Sequence, residues 1–417
     1  KAPDQFKDAK YANESSIPFN DVLAIASHAA KVAENMPMAT IRWSRLAARQ
    51  CMKRRLNGRA IDQLKPALDL IKSPRDLTIP NEERIDLLLM HAQLILDAEE
   101  GKNEAIESIE LAEKLLNGTT DSDDQTRHRL SLLRGLALYQ MRDFTKADAV
   151  FQEILNDASA PLWMNARANF MKSLCMDPRA QVTEKHEALE QLFKDTSAAI
   201  DQTKDPNIRH ELILLKSEIC NSLGMSRLHH AKDTKGAEEI FRLSIDLNRS
   251  PRVSDRKGEA IGHGGLGDVY NATGRIEQAR ESYGDNLSIS RETGDLGGII
   301  RMTSMLGKIA LDEAHSQTDG DRTALINEAR RNYDESALLA IKAKRTFSLR
   351  FAIEGLIRVE TTEGTSGAML VQTIEEAIAA ESMDAGLAEA VLAAIEEHNL
   401  PVDSKEQIST LLKPFTD

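Results

Sequence analysis

The chain has 417 residues, of which 41% are hydrophobic, 29% charged and only 4% aromatic. That is enough apolar material for a sizeable core, and the abundance of Ala, Leu, Ile, Glu, Lys and Arg favours helices over sandwiches or barrels. A formal net charge of −13 excludes a surface built throughout to coat nucleic acid, and no apolar run approaches the ~18 residues needed to cross a bilayer.

Residues 1–17 are polar and lack the apolar segment of a signal peptide, so they read as an N-terminal tail. The chain begins at Lys1, which implies a processed chain or part of a longer protein. Cys51, Cys175 and Cys220 are widely separated and odd in number. They give neither a disulfide framework nor a C-x-x-C pair, and the expectation is a reducing, cytoplasmic setting. The next conspicuous stretch, "IRWSRLAARQCMKRRLNGR", spans 41–59 and is strongly basic. Within it Arg42, Arg45 and Arg49 fall at i, i+3 and i+7, nearly one helical face. A solvated face, or pairing with neighbouring acidic helices, is the leading reading. A patch for an acidic partner, a phosphate or nucleic acid is the alternative, although nucleic acid sits poorly with the overall charge.

From there a single pattern recurs. Ala147 and Phe151, Ala237 and Phe241, Ala279 and Tyr283, and Ala329 and Tyr333 each set a small residue four positions before an aromatic, on one stripe of a helix. Upstream of each stripe lies a second helical stretch with a small residue in its middle: Gly135 in "SLLRGLAL", Gly267 in "HGGLGDVY" and Ala47 in "WSRLAARQ". Gly135 precedes Ala147 by the same interval as Gly267 precedes Ala279. Helices approach closely only where Gly or Ala removes a side chain, and the aromatic fills the gap. Two units look stretched, one between Gly307 and Ala329 and one between Ser217, taken as the small position, and Ala237. Longer helices or protruding turns should absorb the difference.

This pattern resembles the tetratricopeptide repeat (TPR), W-x2-L-G-x2-Y followed by Ala and then Phe or Tyr in about 34 residues. Residues 260–293 carry it best, through Leu266, Gly267, Tyr270, Ala279 and Tyr283, with His263 in place of the usual Trp and Asn286 where a small apolar residue is common. Residues 128–157 match well, 40–71, 82–117 and 208–248 moderately, and the stretch from 348 weakly, as capping repeats would. The resemblance implies an all-α fold: a right-handed superhelical α-solenoid of about nine helical hairpins over 18–417.

No catalytic constellation is visible. Gly262, Gly264 and Gly267 spell G-x-G-x-x-G, but a dinucleotide fingerprint needs a strand before it and "SPRVSDRKGEA" is none. The glycines read as steric, although Gly262, Gly264 and Gly265 together would leave bare backbone that a ligand could approach. His229 and His230 are adjacent, and His186 has no partner four residues on, so no zinc motif appears. The expectation is no enzyme, no cofactor and no metal.

What the resemblance implies instead is a concave groove lined by the first helix of each hairpin. Carried onto this chain, its lining positions include Arg129 and Tyr139 in one unit, Gly264, Asp268 and Asn271 in the best unit, and Arg301, Ser304 and Lys308 in the next. Polar residues on a face meant only to pack would be out of place. The leading expectation is a non-catalytic scaffold holding a protein or peptide in that groove. Two alternatives stand beside it: a sensory or regulatory portion of a longer signalling protein, and binding of nucleic acid or an acidic partner through the basic helix.

Overall fold

A computed structural model of the chain describes residues 18–33, 35–52, 57–72, 79–98, 102–117, 124–177, 180–251, 253–316, 320–365, 367–398 and 400–416. The N-terminal tail 1–17 and Lys53, Arg54 and Arg55 of the basic run lie outside these. Among the described residues there are nineteen α-helices, one π-turn and no strand. The chain divides into two compact units, residues 1–188 and 189–417.

In the first unit α1 (Phe19–Lys31) precedes three hairpins: α2 (Pro37–Met52) with α3 (Asn57–Lys72), α4 (Asn81–Ala98) with α5 (Lys102–Asn117), and α6 (Asp124–Gln140) with α7 (Phe144–Asn156). Helix α8 (Leu162–Cys175) follows, and α9 (Val182–Gln202) carries the chain into the second unit. There α10 (Pro206–Ser226) pairs with α11 (Thr234–Arg249), α12 (Arg256–Ala272) with α13 (Ile276–Thr293), and α14 (Leu296–Ser316) with α15 (Gly320–Lys342). Helices α16 (Thr346–Glu363), α17 (Ala368–Ala379), α18 (Ala385–Glu397) and α19 (Val402–Thr416) complete it.

First helices also pack on first helices, α4 on α6 and α6 on α8 in one unit, and α10 on α12, α12 on α14 and α14 on α16 in the other. Each unit therefore presents a face made of first helices, here termed A helices. The ends are set locally. Asp143, Asp205 and Asp233 cap α7, α10 and α11 by accepting backbone N–H bonds. Gly294, at φ +72°, closes α13 in the left-handed conformation that glycine adopts without strain.

The small and aromatic positions meet as their spacing requires. A Cβ on Gly135 would stand 2.5 Å from the Phe151 ring, and one on Gly224 would stand 2.6 Å from the Phe241 ring. Phe241 also lies against Gly265, Tyr283 against Gly267, and Tyr333 against both Gly307 and Gly355. An aromatic of one second helix can thus wedge between the A helix of its own hairpin and that of the next. Phe151, Phe241 and Tyr283 are essentially inaccessible to water.

Two expectations change. The small position opposite Phe241 is Gly224, not Ser217, so the apparent stretch before Ala237 disappears. The residues "GMSRLHHA" instead finish α10 and form the π-turn Arg227–Ala231. The interval after Gly307 is real and is taken up by long helices, α14 of 21 residues and α15 of 23.

Candidate functional site

The glycine-rich stretch lies inside helix α12 and follows no strand. All its glycines are buried, and the expectation of exposed backbone is not met. Gly262 sits under Ile245, Gly265 under Phe241, and Gly264 under Asn286 and Met302. The departure at Asn286 explains Gly264: with no Cβ in the way, the Asn286 amide reaches across and donates to the Ala260 carbonyl oxygen. The neighbouring hairpins use the same level differently, Ser244 with Asn221 at 2.8 Å and Ser304 with Ser336 at 2.7 Å. Gly264 and Ser304, both expected to line a groove, are accounted for by these contacts between helices.

Asp268, Arg301 and Lys308 are arranged otherwise. Arg301 of α14 reaches back to Asp268 of α12 at 2.5 Å, with 46% of its side chain exposed against 13% for Asp268. Tyr283 donates its hydroxyl to the other Asp268 oxygen at 2.7 Å. Burial, aided by that carboxylate, pushes the Tyr283 phenol far above its ordinary value, so it remains a donor. One helix further on, Lys308 and Arg358 of α16 both donate to Asp312, at 2.7 and 2.9 Å. Burial opposes ionisation of Asp312, but the two cations outweigh it and hold the carboxyl below its usual range. Asn271 is half-buried near the end of α12.

The first unit repeats the device. Arg129 of α6 reaches back to Asp86 of α4 at 2.9 Å. Arg45 and Arg49 of α2 also converge on Asp86, each at 3.3 Å, and Arg45 bonds Glu83 as well. Arg42 lies over the Trp43 ring at 5.9 Å. Two arginines of the basic run, Arg45 and Arg49, are thus met by the acidic start of α4. Tyr139 packs obliquely on Phe144, ring centres 5.5 Å apart.

Sequence reasoning missed Asp86 as the common acceptor, and it missed Arg358, Phe347 and Phe351. The last three lie on α16, where the repeat match is weak. Their spacing with Glu354 (347, 351, 354, 358) was the available signal, since it marks one stripe of a helix whose opposite face is buried.

Two cysteines that could carry chemistry are held as thiols. Burial pushes the Cys220 thiol up to about 12 and the Cys175 thiol up to about 11, so neither is a thiolate at neutral pH. Among the described residues no group of three or more His, Cys, Asp or Glu side chains could hold a metal ion. Nor is any helix among them long and apolar enough to cross a membrane.

Paired helices, A-helix stacking and aromatics wedged on glycines define a TPR-like α-solenoid, a helical-repeat protein of the kind the sequence resembles. No protein-family model matches the sequence, and no curated protein matches it. Solved structures similar to it include a Rap protein complexed with competence and sporulation factor, at 10% identity over 95% of this chain and 97% of that one, TM-score 0.49. The apo form of RapI aligns at 11% identity over 90% and 96%, TM-score 0.48. Yeast Tom70 aligns at 13% identity over 95% of each chain, TM-score 0.25.

Proposed function

We propose that the chain is a non-catalytic binding scaffold, and that the A-helix face formed by α12, α14 and α16 holds an extended peptide or protein segment. The observation that carries this reading is the polar ladder Asp268–Arg301 and Lys308–Asp312–Arg358. Its side chains project from three successive helices, remain partly open to water, and are not required by the apolar packing beneath them. Half-exposed ion pairs contribute little to stability, on the order of 0–1 kcal/mol each. The Lys308–Asp312–Arg358 group can therefore exchange partners with a ligand's charges and amides at small cost, since either cation can leave while the other stays, and the buried glycine–aromatic wedges keep the helices in place.

The test is selection of random dodecapeptides on the immobilised chain, followed by titration of each selected peptide against the wild type and the Arg301→Glu, Lys308→Glu double variant. Arg301→Glu leaves the 13% exposed Asp268 without its cation, so the variant's circular dichroism and unfolding midpoint are measured first, and binding is compared at a temperature where both proteins are folded. Loss of binding with the fold intact supports the assignment. Peptides that bind both proteins equally, or no selected peptides at all, would remove it.

A further inference from the structure

Phe347 and Phe351 stand one turn apart at the start of α16, edge to face, with ring centres 5.0 Å apart. Phe347 is 72% exposed and Phe351 48%, although this chain buries Phe151 and Phe241 completely. An aromatic pair left in water on a helix whose opposite face is buried is not explained by packing.

Its surroundings are defined by contacts already described. Helices α14 and α16 are A helices of successive hairpins and so run parallel. The Asp312–Arg358 bond joins them near their C-terminal halves, and a Cβ on Gly297 would stand 3.0 Å from Arg345 at their N-termini. Counting back one helical face from that bond sets Phe347 level with Arg301, and Phe351 level with Met305. The aromatic pair therefore continues the ladder at the end where Arg301 is exposed.

The charges around it do not cancel. Arg301 is matched by Asp268, and Arg350 by Glu354 at 2.7 Å, but Lys308 and Arg358 share the single carboxylate of Asp312. On a chain of formal net charge −13, this face carries a cation in excess. An exposed aromatic pair beside a surplus positive charge is complementary to a peptide that offers a large apolar side chain and a carboxylate a few residues away.

We infer that the occupant of this face is an extended acidic peptide segment whose large apolar side chain packs on Phe347 and Phe351 and whose carboxylate pairs with the Lys308–Arg358 site. This rests on the binding-face reading above and adds the class of ligand. Aromatic anchors of this kind dominate the binding energy of small interfaces.

The experiment uses the same dodecapeptide selection on the intact chain. Selected peptides are sequenced, labelled, and titrated against the wild type, against Phe347→Ser, Phe351→Ser, and against the Arg301→Glu, Lys308→Glu variant, with sedimentation velocity on each protein. The expected result is enrichment of Asp or Glu near Leu, Ile, Phe or Trp, and a loss of affinity of about tenfold or more in the phenylalanine variant. Peptides that are lost with Arg301→Glu, Lys308→Glu but are rich in Lys and Arg, or are indifferent to the phenylalanines, overturn the inference and leave the binding face standing. Peptides indifferent to both variants, or none selected, overturn both. Conversion of an oligomer to a monomer by Phe347→Ser, Phe351→Ser, without selected peptides, would assign the pair to a second copy of the chain and equally overturn the inference.

Discussion

Replacing Gly265 by alanine separates two opposed effects of known size. In the middle of a helix, Gly→Ala is favourable by about 1 kcal/mol, because glycine loses more backbone freedom on folding and alanine is the best helix former. At Gly265 the added Cβ would overlap three carbons of the Phe241 ring. Phe241 cannot retreat: it is 1% exposed, and on its far side a Cβ position on Gly224 is already only 2.6 Å away. Overpacking of this kind costs about 1–3 kcal/mol, and the blocked retreat places it near the upper end. The net expectation is a loss of about 1–2 kcal/mol. Gly284→Ala, on the adjacent α13, is the internal comparison. Nothing lies within 4 Å of its Cβ position, so the helical gain should appear uncompensated as about 0.5–1 kcal/mol of added stability. Urea unfolding followed by circular dichroism, with hydrogen exchange of the α11–α13 amides to localise the change, should separate the two variants by about 1.5–3 kcal/mol. A Gly265→Ala protein as stable as the wild type would refute the wedge account, since the close approach would then be neither tight nor needed.

Other consequences can be measured alongside. Phe241→Ala empties the space between Gly224 and Gly265 and should cost about 3–5 kcal/mol, read from the same urea curves. Tyr283→Phe keeps the ring on Gly267 and removes only the bond donated to Asp268, so it should cost about 1–2 kcal/mol while leaving the helical spectrum unchanged. Stability should also fall on acidification through His263. This side chain is buried among α11, α12 and α13: its Nε2 accepts from Arg249 at 3.1 Å, its Nδ1 faces Asp285 at 3.4 Å, and Glu259 and Arg256 stand close by. Burial holds its pKa below the ordinary 6.5, with Asp285 opposing and Arg249 reinforcing the shift. The unfolded chain therefore binds the proton first as pH drops. The stabilisation is whole above about 6.5 and is lost as pH falls through the folded-state value. His263→Gln, which can still accept from Arg249, should flatten the dependence of the unfolding midpoint between about pH 7 and 5. An unchanged slope would exclude His263 as its source. His91 of the first unit, shifted in the same direction by burial, supplies a remainder.

How far the sequence discloses this molecule depends on whether a contact is local in pattern. The pairing of Gly135 with Phe151 and Gly267 with Tyr283 could be read from a fixed interval because both partners belong to one hairpin, whose geometry is set by helix length and a short turn. Gly224 precedes Ala237 by thirteen residues rather than the regular twelve, because α10 runs on into a π-turn, and it was passed over for Ser217. Gly265 and Gly355 take the aromatic of the preceding hairpin, a contact that no spacing within one repeat announces. The same limit governs the surface. Asp268 and Arg301 could be nominated by position, whereas their pairing, and the convergence of Arg45, Arg49 and Arg129 on Asp86, join residues some 33–43 positions apart on different helices.

Three of the ion pairs share a direction that bears on function. Arg129 reaches back to Asp86, Arg301 to Asp268 and Arg358 to Asp312, in each case from an A helix to the A helix before it. Each pair bridges neighbours, so a ligand that draws an arginine away from its aspartate changes the contact between two hairpins as well as its own. In the first unit Asp86 is enclosed by three arginines and is 26% exposed, so removing one arginine leaves the carboxylate paired. In the second unit Asp268 has, among the described residues, Arg301 as its cation and the Tyr283 hydroxyl as its remaining support. Capture of Arg301 by a ligand carboxylate would leave Asp268 largely desolvated and held by one neutral donor, a cost the ligand must offset. The Lys308–Asp312–Arg358 cluster carries no such penalty, because either cation can leave while the other stays. An acidic ligand should therefore take its charge contact from Lys308 or Arg358 and leave Arg301 on Asp268. Lys308→Gln should then weaken a selected acidic peptide more than Arg301→Gln does, and the reverse order in titrations at equal salt would place the carboxylate at the other end of the ladder.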